Sequence, residues 1–257
     1  MPTRSPVSLR HEYEQYVEQE IENYKFSLPR AMILRIGDEA VAFLREREQP
    51  EFDELVIWAE VDTIIRKRLR LPSYATWRRK RLKLIEKYRR PEHWGLPTDA
   101  PLVREIVPDP DTRVLVAGVR EEGPVLYLAA CVCRVTSLQD DDVMADRVLA
   151  AAGEAGLTSR VNSLTGGLDG WAPDAPLNAV VVMPSALARL SDEQRTRAIQ
   201  ILQSATLDGG VHLVETLMAG EAGLTVDELR SRYDGWDVSI VRDGRSQRTF
   251  LARKQVA

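Results

Sequence analysis

Cysteine and histidine are scarce in this chain. Its 257 residues include two cysteines, Cys131 and Cys133, and three histidines, His11, His93 and His212. Two cysteines one residue apart cannot staple a fold, and no others exist to complete a thiolate zinc cluster. The histidines are too far apart in sequence for a metal motif, so neither a metal site nor a catalytic residue is assigned. Long apolar runs are also missing. None approaches the roughly 20 residues that span a bilayer, and Met1 to Arg10 lacks an apolar stretch with a cleavage site. A cytoplasmic protein without membrane contact is the expectation. Ser185 lies in no Gly-x-Ser-x-Gly turn, which argues against a hydrolase nucleophile. Cys131 and Cys133 alternate where a strand begins, so one is expected to be buried and one exposed, both structural.

Positive charge is abundant, but in one place. The chain as a whole carries −4, yet Arg66, Lys67, Arg68, Arg70, Arg78, Arg79, Lys80, Arg81, Lys83, Lys87, Arg89 and Arg90 face a single acid, Glu86, within the same segment. The rest of the chain is therefore strongly acidic. Such an asymmetry points to an anionic partner, or to an acidic surface in the same assembly. Trp77 lies among these cations, and arginines beside an aromatic ring suit phosphates and unpaired bases. Three readings stand open: nucleic acid (RNA included), an acidic protein surface within a larger complex, or a solvated face.

Hydrophobic periodicity predicts helices over the first ninety-odd residues. Leu9, Tyr13, Tyr16, Val17, Ile21 and Tyr24 form one stripe. Ser27 before Leu28-Pro29 suggests the start of a second helix, over Ala31 to Arg47, with a break at Gln49-Pro50. A third helix is expected from Asp53 to Leu71. Pro72-Ser73 ends it and caps a fourth, Tyr74 to Arg90, with Trp77, Leu82, Ile85 and Tyr88 on one side. This gives an all-helical domain over 1–95. Pro97, Pro101, Pro108 and Pro110 make 96–110 a linker by composition.

From 111 to 257 strands and helices alternate, which implies an α/β domain with a parallel sheet covered on both faces. Strands are expected at Arg113–Ala117, Cys133–Leu138, Arg160–Leu164, Asn178–Met183 and Gly210–Thr216. Helices are expected at Val125–Ala130, Val143–Ala155 and Ser191–Leu207. Ser191 with Gln194, and Thr225 with Glu228, have capping-box spacing. Trp236–Val241 and Arg248–Arg253 read as a terminal hairpin turning at Asp243-Gly244.

Several stretches carry a family resemblance. They are Val114-Leu115 followed by Leu126-Tyr127-Leu128-Ala129, Arg134-Val135-Thr136, Asp174 to Val182, Asp208 through Glu215, Glu228 to Trp236, and Ala252-Arg253-Lys254. In this order they resemble class I S-adenosylmethionine-dependent methyltransferases, and the C-terminal part is similar to the tellurite-resistance type. The resemblance implies a Rossmann-like sheet ending in an antiparallel hairpin.

It also implies cofactor positions, and this chain departs from most of them. An acid closing the first strand is replaced by Val116. Gly118 matches the first glycine of the following turn, but the next two glycine positions hold Arg120 and Glu122, with Gly123 one residue late. The carboxylate expected on the ribose hydroxyls is Gln139, or Asp140 if the frame shifts by one. The acid expected near the adenine is Gly167, with Asp169 two residues on. A neutral amide bonds ribose hydroxyls more weakly than a carboxylate. The expectation is a methyltransferase-like protein that has lost S-adenosylmethionine and serves as a non-catalytic scaffold or binding subunit. The alternative is an active methyltransferase, with that cofactor, acting on RNA or a small molecule.

Overall fold

A computed structural model of the chain describes residues 8–46, 54–216, 225–242 and 248–256. The chain divides into two compact units, Met1–Leu84 and Ile85–Ala257.

The first unit is helical. It contains α1 (Leu9–Ser27), α2 (Arg30–Glu46), α3 (Glu54–Arg68) and the start of α4 (Tyr74–Tyr88). Ser8 caps α1 by accepting from the His11 amide. Ser27 does not start α2. Its hydroxyl donates to the Tyr24 carbonyl and so closes α1, which leaves Pro29 to lead into α2. The break expected at Gln49-Pro50 lies outside the described residues. Ile21, Ile36, Ala40, Val61, Ile64 and Ile65 form the core of this unit. Ser73 accepts from the Thr76 amide and caps α4 as its position suggested. None of the α4 side chains is fully buried, and Leu82, expected on a packed side, is 42% exposed.

The second unit is a sheet with helices on both faces. A 3-10 turn (Pro91–Trp94) and α5 (Pro101–Glu105) precede β1 (Arg113–Ala117). There follow α6 (Gly123–Ala130), β2 (Arg134–Gln139), α7 (Asp142–Glu154), β3 (Val161–Thr165), β4 (Leu177–Val182), α8 (Pro184–Ala188), α9 (Asp192–Ala205), β5 (Thr206–Thr216), α10 (Val226–Arg232), β6 (Trp236–Arg242) and β7 (Arg248–Lys254). Among the described residues the strands form one sheet ordered β3-β2-β1-β4-β5-β7-β6. β1 to β5 pair in parallel, and β7 runs antiparallel to both β5 and β6. The fold is the Rossmann-like class I methyltransferase fold with its C-terminal antiparallel hairpin. The Asp243-Gly244 turn lies outside the described residues.

The core explains why the central strands are apolar throughout. Val114 and Val116 of β1, with Ala179 and Val181 of β4, enter one core layer. Leu115, Ala117, Val180 and Val182 enter the other. A strand covered on both faces has no polar side to show. Both capping boxes are formed. The proline-rich stretch is not the loose tether its composition suggests. Pro101 opens α5, and Ala100, Leu102 and Ile106 are buried in the core of the α/β unit. The division between units falls inside α4 rather than at residue 95.

Both cysteines are buried, against the expectation of one inside and one out. Cys131 begins not in the strand but in the tight turn closing α6, where Val132 adopts φ +70°. Burial pushes the Cys133 thiol up to about 11 and raises Cys131 as well. Thiols held in that way are inert.

His212 of β5 is fully buried and has a defined tautomer. The Thr206 hydroxyl donates to the Leu202 carbonyl at 2.7 Å. A hydroxyl has one proton, so Thr206 Oγ1 accepts from His212 Nε2 at 2.7 Å. His212 Nδ1 then accepts from the Tyr233 hydroxyl at 2.8 Å. Protonating Nδ1 would set two donors against each other. Burial, and to a lesser degree Lys254, pushes the imidazole down to about 3. Below pH 6.5 the unfolded chain takes up a proton that the folded chain refuses. Stability therefore falls as pH drops from 6.5 towards 3, by up to about 1.4 kcal/mol per pH unit from this group. Denaturant unfolding between pH 7 and 4 should show a shallower decline in His212→Gln than in the parent. Parallel declines would refute this assignment.

Candidate functional site

The resemblance places a cofactor crevice beyond the carboxyl ends of β1, β2 and β4, where the chain turns out of the sheet. Gly118 directly follows β1 with φ +70°, a backbone conformation that suits glycine. Its amide donates to the Leu138 carbonyl, and its carbonyl accepts from the Ser185 hydroxyl. A Cβ at Gly118 would lie 2.7 Å from both the amide nitrogen and Cβ of Ala186, and 2.8 Å from Ser185 Oγ. The space this glycine opens is filled by α8. Gly123 is likewise committed, since a Cβ there would lie 2.3 Å from the Trp94 carbonyl oxygen. Between them Arg120 and Glu121 are exposed, and Glu122 pairs with Arg147 at 2.8 Å.

The polar positions are also engaged within the chain. Gln139 is 1% exposed, and its amide donates to Ser137 Oγ at 2.6 Å, inside the sheet. Asp140, the frame-shifted candidate, forms an ion pair with Arg189 at 3.0 Å. Asp141 caps α7 by accepting from the Met144 amide, and Asp142 accepts from Thr165 Oγ1. A Cβ at Gly167 would meet the Asp169 carboxylate at 2.5 Å, and Asp169 in turn accepts from Gln194 Nε2 at 2.7 Å. These residues lie at or just beyond the carboxyl ends of β1, β2 and β3. Sequence reading missed Ser185, Ala186 and Arg189, which close the Gly118 turn and hold Asp140. Within the chain, Ser185 and Ala186 crowd the glycine opening and the Asp140 carboxylate pairs with Arg189.

The basic segment divides into two groups. Arg66 donates to the Tyr13 hydroxyl at 2.6 Å, and Tyr13 donates to the Pro72 carbonyl. Arg68 pairs with Glu39, and Arg81 with Glu12 at 3.1 Å. Lys67 lies over the Phe43 ring, and Arg90 pairs with Glu86. Trp77 is half-buried among Tyr13, Tyr16 and Tyr74, with ring centroids 5.5 to 6.4 Å away, so it anchors α4 to α1. These residues are structural in part. Arg70, Arg78, Arg79, Lys80, Lys83, Lys87 and Arg89 are exposed, with no ion pair among the described residues. Arg79 and Lys83 stand four residues apart on α4, a rise of about 6 Å, and Lys80 lies beside them. Like charges at this spacing disfavour a helix, and an anion laid along it would relieve the repulsion.

No group of three or more His, Cys, Asp and Glu side chains among the described residues is placed to hold a metal ion. No helix among them is long and apolar enough to cross a membrane. No protein-family model matches the sequence, and no curated protein matches it.

Solved structures of similar fold include TehB from Haemophilus influenzae, 18% identical, with 56% of this chain covered and a TM-score of 0.47. This chain spans 57% of that one. The glycopeptide N-methyltransferase MtfA complexed with S-adenosyl-L-homocysteine is 13% identical, covering 58% of this chain and 84% of its own, with a TM-score of 0.48. The N-methyltransferase NodS from Bradyrhizobium japonicum WM9 is 15% identical, covering 56% and 86%, with a TM-score of 0.46. These likenesses are loose, and the fold assignment rests on the strand order and register.

Proposed function

We propose that this chain is a methyltransferase-fold binding protein that does not use S-adenosylmethionine and engages nucleic acid through α4. The observation that carries the reading is the filled turn at Gly118. A cofactor cradle needs a glycine whose missing side chain leaves room for the ligand. Here that room holds Ser185 and Ala186, and the neighbouring glycine supports Trp94 instead. Gln139, Asp140 and Asp169 each bond within the chain. The exposed cations of α4 then supply the binding surface, with the phosphates of single-stranded RNA as the partner.

Isothermal titration with S-adenosylmethionine and S-adenosylhomocysteine tests the first half. No heat is expected with either ligand up to millimolar concentration. Micromolar binding of either would overturn the reading and restore an active methyltransferase as the leading one.

A further inference from the structure

A second cavity lies at the opposite end of the sheet, where the parallel strands begin. It has a volume of about 210 Å³. Arg113 opens β1 and stands in register with Arg134, which opens β2. Arg160 directly precedes Val161, and Val161 is the register partner of Val135. Two adjacent strands therefore open with an arginine on one rung, Arg160 ends the 3-10 turn that leads directly into β3, and all three arginines line the cavity. Thr136 and Asn162, themselves register partners, lie two residues further along the same strands and line it as well. Trp171 and Asp174 contribute to the wall.

Neighbouring strands lie about 4.8 Å apart, and like charges set directly opposite one another destabilise a sheet. The fold compensates for part of this row. Arg134 donates to the Pro110 carbonyl and pairs with Asp111 at 3.5 Å, and Arg160 donates to the Val132 carbonyl. Each guanidinium has five N–H donors, so both keep donors in reserve. The Arg113 side chain is only partly exposed and makes no hydrogen bond or ion pair among the described residues. Asp174 is the one carboxylate among the lining residues.

We propose that this cavity binds the phosphate group of a small phosphate monoester. Arg113 would be its principal anchor, Arg134 and Arg160 would flank it, and Thr136 and Asn162 would offer further polar contacts. Planar guanidiniums match phosphate oxygens in pairs. The small volume suits a ligand of a few carbons rather than a nucleotide.

The test is isothermal titration of the full chain with inorganic phosphate, glycerol 3-phosphate and glycerol. Saturable binding of both phosphates, with glycerol silent, is the expected result. Arg113→Ala should weaken it about tenfold or more, the weight of one charge-assisted contact, and Arg113→Glu should abolish it. Both variants should fold, because the side chain bonds to nothing else. Arg189→Ala, which removes an exposed cation outside the cavity, should bind like the parent. Failure of both phosphates to saturate at millimolar concentration would overturn the proposal, as would equal affinity in Arg113→Glu. Loss of binding in Arg189→Ala would overturn it too, because the attraction would then be general. None of these outcomes depends on whether α4 holds RNA.

Discussion

Reversing Arg78, Arg79, Lys80 and Lys83 to glutamate should reduce affinity for single-stranded RNA by about a hundredfold or more at physiological salt. These four are the cations of the first unit's α4 that remain exposed without an ion pair among the described residues. Each phosphate contact on a single strand contributes about 0.7 to the slope of log affinity against log salt. Losing four should flatten that slope by roughly 3. Fluorescence anisotropy at several salt concentrations reads both quantities. Arg66→Ala should behave differently. Arg66 holds the Tyr13 hydroxyl, so its loss should lower the melting temperature of the helical unit with little effect on the salt slope. Undiminished RNA binding by the fourfold reversal would refute the nucleic-acid assignment. An acidic protein partner whose binding the same reversal abolishes would then take its place.

That division of the basic segment was not visible in the sequence. A run of arginines and lysines gives its charge at once, but its partners lie far along the chain. Glu12 meets Arg81 across 69 residues, and Glu39 meets Arg68 across 29. Trp77 misled for the same reason, since an aromatic among cations looks like a stacking platform until Tyr13 and Tyr16 are placed beside it. The α/β fold was legible because two-sided burial leaves its mark on every central strand, as in Asn178 to Val182. Strand edges were less so. β5 begins at Thr206 rather than Gly210, because backbone pairing with Leu177 starts before the apolar run does. The buried thiols follow from a turn that periodicity cannot anticipate, with Val132 in the left-handed region.

At the crevice beyond β1, the sequence revealed the altered residues but not the contacts that Ser185 and Ala186 make around Gly118. Glycine is compatible with two opposite situations, a cradle left open for a cofactor and a gap filled by the chain itself. Gly118→Ala separates them. In an open cradle the added methyl group displaces a ligand and costs only the left-handed backbone penalty of about 1–2 kcal/mol. Here it would strike the Ala186 backbone at 2.7 Å, at a residue with φ +70°. The left-handed conformation costs about 1–2 kcal/mol for a residue with a Cβ. Overpacking against backbone adds about 1–3 kcal/mol, so a loss of roughly 2–5 kcal/mol is expected for the α/β unit. Gly153→Ala is the matched control in the same unit. Gly153 lies in α7 with open space around it, and alanine there should stabilise by about 0.5–1 kcal/mol. Thermal or denaturant unfolding of the pair should therefore move in opposite directions. If Gly118→Ala unfolds like the parent, α8 yields easily at this point, and the crevice can open far enough to admit a ligand after all.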